Sequence, residues 1–172
     1  PPRSGFVDIG GIAMDDRSAA QLRARMAWMG QKPHVFAGTV GANVALADPR
    51  ATSEYVQEAI RLAGLEQVNR AHPAATLGEG GMGLSGGEVL RLALARLAVR
   101  ANEADLLLVD EPTAHLDSET ARHARDALMS IARGRTLIVA THDAELAARM
   151  DRVIHIGTKP IAQPARTEDA IA

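Results

Sequence analysis

Two short segments carry residues that could do chemistry together. Leu84-Ser85-Gly86-Gly87-Glu88 sets a serine and two glycines where a helix would open. Free backbone N–H groups and the positive end of the helix dipole would there meet a phosphate. About twenty residues later, Leu106-Leu107-Leu108-Val109-Asp110-Glu111-Pro112 reads as a buried strand ending in two carboxylates. Ligands of open α/β sheets sit at the carboxyl ends of strands, so Asp110 is placed for Mg²⁺ and Glu111 for a water molecule. Alone, the first segment is an ordinary N-cap and the second an ordinary strand and turn. In this order they point to ATP chemistry.

The elements that must position these residues follow from periodicity. Segments 6–9 and 12–14, joined by Gly10-Gly11, predict a hairpin with a two-residue glycine turn. A short helix capped by Ser18 follows, then a strand over 23–29 that ends at Gly30-Gln31, where Pro33 blocks continuation. Residues 34–43 read as a loop. Val56, Ala59, Ile60 and Ala63 fall at helical spacing, with Thr52 or Ser53 as cap and Gly64 as stop. The stretch 76–87 holds six glycines in twelve residues, too many for a regular element. Residues 88–100 are helical and apolar on most sides, hence largely buried. Strand 106–110, a helix over 118–133 capped by Asp117 with stripe Ala124, Ala127, Leu128 and Ile131, and strand 136–140 make a βαβ unit. Such a unit implies a parallel sheet covered on both faces. A helix over 144–150 and a strand over 153–156 complete the order, followed by a polar, loose tail.

Composition narrows the chemistry. A net charge of −2 and 2% aromatics, with no basic stripe, argue against a general nucleic-acid binder. The absence of cysteine removes disulfides, thiolate metal sites and a cysteine nucleophile, and fits a reducing compartment. No apolar run approaches the ~20 residues needed to span a bilayer. The opening Pro1-Pro2-Arg3-Ser4-Gly5, with no methionine before the first strand, reads as the start of a fragment.

Gln31, Leu84 to Glu88, Leu106 to Pro112, Ala114-His115-Leu116-Asp117 and His142 stand in the order and spacing of one family. The chain resembles the nucleotide-binding domain of ABC transporters over nearly all of 6–156. The resemblance implies an α/β fold: a P-loop NTPase (RecA-like) parallel-sheet core with an inserted α-helical subdomain, its N-terminal part missing. The implied divisions are 1–34 (partial core with Q-loop), 35–100 (helical subdomain with X-loop and signature motif), 101–157 (core with Walker B, D-loop and H-loop) and 158–172 (flexible tail). The run from Gln31 to Val44 is similar to the exporter pattern after the Q-loop. Leu77-Gly78-Glu79-Gly80-Gly81 resembles the exporter X-loop, which touches the coupling helices of the membrane domain. The Pro-Thr-Ala-His-Leu-Asp form of the D-loop resembles that of the heterodimeric cysteine and glutathione exporter of cytochrome bd assembly.

Two departures stand out. The phosphate-binding loop G-x-x-x-x-G-K-[ST] is expected before Phe6 and does not occur, since the two lysines, Lys32 and Lys159, lie in Gln-Lys-Pro and Thr-Lys-Pro. The aromatic residue that stacks on adenine would also lie upstream, so the fragment is expected to be inactive alone. Glu88 stands where the signature usually has Gln, and is expected to change local polarity more than phosphate binding.

The resemblance implies ATP and Mg²⁺ as cofactors and assigns roles. Asp110 would hold Mg²⁺ through coordinated waters, with Gln31 completing the shell. Glu111 would polarise the attacking water and His142 would donate to the γ-phosphate. Ser85, Gly86 and Gly87, with Glu88 completing their motif, would bind the γ-phosphate of ATP held by a second subunit, and Asp117 would cross that interface. The implied partners are a second nucleotide-binding domain, identical or different, and an exporter's transmembrane domain fused upstream. The implied location is the cytoplasmic face of the inner membrane, and ATP would close the dimer while hydrolysis opens it. His34, His72, His115, His123 and His155 read as surface or packing residues, and Arg91 and Arg96 as partners of Glu88 or solvent. Two alternatives remain: a catalytically silent module that lends its signature motif to a partner, and a non-transport ABC ATPase of chromosome maintenance or repair. No heptad run separates Gln31 from Ser85, which speaks against the latter.

Overall fold

The computed structural model describes residues 4–71, 77–78, 80 and 83–157. His72, Glu79 and Gly81 of the X-loop, and the tail 158–172 lie outside the described residues.

The hairpin forms as expected: β1 (Asp8–Ile9) pairs antiparallel with β2 (Ile12–Ala13) across Gly10 and Gly11. Both glycines have positive φ, the conformation that L side chains avoid. Helix α1 (Ala19–Ala24) follows, but Ser18 does not cap it with its side chain. The hydroxyl instead donates to the Ala13 carbonyl at 2.6 Å, and Asp15 Oδ1 accepts from the Arg17 and Ser18 N–H groups. The following strand is shorter than expected, β3 (Met26–Met29), because α1 takes up Arg23 and Ala24.

The segment 34–43 is not wholly a loop. Helix α2 (Val40–Ala45) begins inside it, with the Thr39 side chain accepting from the Ala42 N–H. Gly41 hides this helix from propensity, while burial of Val40, Asn43 and Val44 stabilises it. Asn43 ties the turn before it: its Nδ2 donates to the Phe36 and Thr39 carbonyls, and its Oδ1 accepts from the Phe36 N–H. Arg96 completes that knot, donating to the Asn43 carbonyl and Oδ1 at 2.8 Å each and to the His34 carbonyl. Its hydrogen bonds thus go to the turn at 34–43, and burial holds its guanidinium below the usual arginine range. Arg91 donates to the Gly64 carbonyl.

Helix α3 (Ser53–Leu62) is capped by Thr52, and α4 (Glu66–Ala71) follows Gly64, whose φ of 68° suits the helix stop. The longest helix, α5 (Gly86–Ala101), runs through the middle of the molecule against α2, α3, α6 and β3. Leu92, Leu94, Ala95 and Leu97 on it are almost wholly enclosed. Truncating a leucine so enclosed costs about 2–5 kcal/mol.

Strand β4 (Leu106–Asp110), helix α6 (Ser118–Ile131) and strand β5 (Thr136–Ala140) form the expected βαβ unit. The sheet is parallel, in the order β3-β4-β5, with Met29 opposite Val109 and Asp110 opposite Ala140. One face, with Ala27, Met29, Leu107 and Val109, is buried. The other is not covered by the described residues: Trp28 is 73% and Ile138 56% exposed, with Leu108 between them in register. The expectation of cover on both faces is thus corrected, since α5 and α6 supply one layer of helices only. The last helix is shorter than expected, α7 (Ala144–Ala147). Residues 153–156 form no strand; Val153, Ile154 and Ile156 are exposed and have no ladder partner among the described residues.

Candidate functional site at the carboxyl edge of the sheet

Because β3, β4 and β5 are parallel, their carboxyl ends share one edge. Gln31 follows β3, Asp110 ends β4 with Glu111 next to it, and Thr141 and His142 follow β5. Glu111 departs from strand geometry, with φ of 47°, while its N–H donates to the Ala140 carbonyl at 2.9 Å. A non-glycine residue held there is strained by about 1–3 kcal/mol and persists only where its surroundings fix it. The result turns the side chain toward the end of β5: Glu111 Oε2 lies 2.9 Å from His142 Nδ1 and 3.5 Å from Thr141 Oγ1. The hydrogen bond and charge of Glu111 raise the His142 pKa above the ordinary histidine value, although the ring is 80% exposed.

Below this pair lies a network that sequence reasoning did not single out. Asp143 caps α7, its Oδ1 accepting from the Glu145 and Leu146 N–H groups, while its Oδ2 accepts from Thr113 Oγ1 and Arg125 Nη1 at 2.8 Å each. Burial alone would raise the Asp143 carboxyl, but hydrogen bonds from Arg125, the Leu146 N–H and Thr113 outweigh it and hold the group at about 2. A signal for Arg125 existed: it falls on the apolar face of α6, among Ala121, Ala124 and Leu128, where an unpaired cation would not stay.

A second group gathers at the starts of α5 and α6. Ser85 accepts from the Glu88 N–H, and the Glu88 carboxylate accepts from the Ser85 N–H at 2.7 Å, a reciprocal capping box. The same carboxylate accepts from the Ser85 hydroxyl at 2.8 Å, so the signature serine is already engaged. A side chain at Gly86 would meet open space, whereas one at Gly87 would press on Thr120 at 3.3 Å. The first glycine thus bares backbone, and the second lets α5 approach α6. Asp117 caps α6, accepting from the Glu119 and Thr120 N–H groups and from the Thr120 hydroxyl. Those bonds, the Thr120 N–H first, lower its pKa, and the residue stays exposed.

The donor set suits a hard cation of modest demand. Asp110 and Gln31 offer oxygen, and no cluster of three or more His, Cys, Asp or Glu able to hold a metal occurs among the described residues. The Asp110 carboxylate and the Gln31 amide oxygen are of the donor type Mg²⁺ takes, one or two carboxylates together with substrate phosphates. A cleft of about 530 Å³, lined by Arg61, Gly64, Glu88, Arg91 and His123 among others, borders the start of α5 through Glu88 and includes none of Gln31, Asp110, Glu111 and His142.

Residues 1–114 match the ABC transporter family, and the chain belongs to it. The family match and the fold accordingly make it an ABC transporter ATP-binding domain of exporter type. It is 36% identical over 156 residues to an ATP-dependent lipid A-core flippase of Burkholderia pseudomallei (strain 1710b), covering 89% of this chain and 26% of the flippase. It is also 36% identical over 174 residues to the ABC multidrug transporter MDR2 of Trichophyton rubrum, covering 97% of this chain and 13% of that protein. Among solved structures, a bacterial Atm1-family ABC exporter with ATP bound superposes with a TM-score of 0.78 at 30% identity, over 88% of this chain and 27% of the exporter chain. The chain thus spans about a quarter of the length of the flippase. Among the described residues, no helix is long and apolar enough to cross a membrane.

Proposed function

We propose that this chain is the carboxyl-terminal part of the ATP-hydrolysing motor of a membrane exporter, at the cytoplasmic face of the membrane. The observation that carries the reading is the contact between Glu111 and His142 beside Asp110, at the edge where α/β sheets bind ligands. The proposed divisions are a partial core with Q-loop at 1–34, a helical subdomain at 35–100, the remaining core at 101–157 and a tail at 158–172. The partners in this reading are a second nucleotide-binding domain and the exporter's transmembrane domain. The D-loop form favours, within the family, the cysteine and glutathione exporter of cytochrome bd assembly.

Bound Mg·ATP supplies the phosphoanhydride to be cleaved and a cation that spreads its charge. Asp110 and Gln31 hold that cation by oxygen donors. Glu111, anchored on the strained turn, accepts hydrogen bonds from the attacking water and aligns it. His142, as the imidazolium that Glu111 favours, donates a hydrogen bond from Nε2 to a γ-phosphate oxygen, while its Nδ1 contact with Glu111 sets the ring's orientation. The Gly86 and Gly87 N–H groups and the Ser85 hydroxyl, together with Asp117, act on nucleotide carried by a second domain, so two domains close head to tail. The groove lined by Trp28, Phe36, Leu46, Arg96 and Arg100, about 310 Å³ in volume, suits contact with the membrane domain.

The test is the complete polypeptide, reconstituted in lipid. Glu111→Gln should retain ATP binding and lose turnover by on the order of a hundredfold or more. Unchanged turnover would sink the assignment of Glu111, and absent ATP binding by the wild type would favour the silent-module reading.

A further inference from the structure

Resting on the reading of the chain as an ATPase, we propose that Arg125 is a positioning residue that locks the turn carrying His142 to the turn carrying Glu111. Its side chain is 7% exposed, in the middle of α6. Nη1 donates to Asp143 Oδ2, one residue beyond His142, and the same oxygen accepts from Thr113 Oγ1, two residues beyond Glu111. One carboxylate oxygen therefore joins both turns, and Arg125 neutralises it.

The remaining atoms close the lattice. The Asp143 N–H donates to Thr141 Oγ1 at 3.0 Å, and Thr141 Oγ1 reaches Glu111 Oε2 at 3.5 Å. Arg125 Nη2 donates to Glu145 Oε2 at 2.5 Å, while Nε is buried without a partner. A buried cation with an unsatisfied donor gives up part of its hydration, so its value lies in fixing geometry more than in net stability. Geometry matters here because Glu111 at φ 47° is strained and must be held from outside its own turn. Without Arg125, the Asp143 carboxylate would be left largely enclosed and uncompensated, and would turn toward water. The His142 turn would move with it.

Arg125 is enclosed and its guanidinium is spent on Asp143 and Glu145, so its removal should separate turnover from binding. In the complete polypeptide, Arg125→Met should lower kcat for ATP hydrolysis by on the order of tenfold or more, with KM for ATP within about twofold, since misplacing a reacting group by ~1 Å costs up to a hundredfold. Arg125→Lys should recover part of the loss, and Arg122→Met, on the exposed side of the same helix, should have none. Hydrogen exchange of the nucleotide-free protein supplies a second readout: in Arg125→Met, the peptides spanning 111–114 and 141–146 should both exchange faster. Where Arg125→Met does not fold, Thr113→Val and Asp143→Asn decide, because Asn still caps α7 while losing its charge. Unchanged kcat in folded protein, or faster exchange confined to 141–146, overturns the proposal. A wild type that hydrolyses no ATP sinks the ATPase reading instead, and exchange at the two turns then still decides whether Arg125 couples them.

Discussion

At the residue scale, Glu111 and His142 illustrate how two side chains thirty-one positions apart become one unit. The register of β4 on β5 sets Asp110 opposite Ala140, so the next residue of each strand leaves the sheet at the same place. The outward turn at Glu111 then completes the contact. This pairing has a pH signature. The folded-state pKa of His142 is raised by Glu111, so the pair's contribution to stability is fully present below the unfolded histidine value of about 6.5 and is lost as pH rises through the folded value. An NMR titration of the His142 ring in the nucleotide-free protein should show a midpoint above the ordinary value, and Glu111→Gln should bring it down. A midpoint unmoved by that substitution would mean the two groups are apart in solution. Asp143 behaves in the opposite sense: its lowered carboxyl supports the fold at neutral pH and ceases to do so as pH falls toward about 2.

At the scale of elements, the start of α5 combines two demands that compete. A helix N-terminus attracts anions because its N–H groups are unpaired and its dipole is positive there. Glu88 already occupies part of that role, closing the capping box and accepting the Ser85 hydroxyl. Gln would keep the box but remove the charge. Glu88→Gln should therefore cost under about 1 kcal/mol in helix stability while strengthening ATP-dependent association of two domains. Thermal melts with sedimentation of the complete motor, with and without ATP, check both halves; weaker association would show that the carboxylate aids the phosphate. What was legible in the sequence follows the same physics. Helix α5 and strands β4 and β5 announced themselves because their apolar runs are long and their ends marked by Ser85, Asp110 and Thr136. Helix α2 was hidden by Gly41 and stands on the burial of Val40 and Val44. Residues 153–156 look like a strand, but a strand exists only where a neighbour accepts its hydrogen bonds. Gln31, Ser85, Asp110, Glu111 and His142 were legible as ordered motifs; Arg125 showed only as a cation on an apolar helix face, and Thr113 and Asp143 not at all, because the junction between their two turns is nothing that spacing describes.

At the scale of the whole molecule, the described sheet is two-sided in sequence and one-sided in structure. Trp28, Leu108 and Ile138 sit on adjacent strands in register, with Trp28 and Ile138 exposed, opposite the face that α5 and α6 bury. Contiguous apolar surface of this kind drives association when it meets water. The 172-residue chain on its own should therefore self-associate in a concentration-dependent way by sedimentation velocity, and Trp28→Lys with Ile138→Lys should suppress this. Trp28 is the single tryptophan of the chain, so its fluorescence reports the same face. The complete polypeptide gives the discriminating arm. Polypeptide lying on this face in the larger protein makes the lysine pair destabilising by several kcal/mol, the cost of burying charge without a partner. If the lysines leave the larger protein's stability unchanged, the face stays open there as well, and the sheet ends as it does in this chain, with its helices on one side.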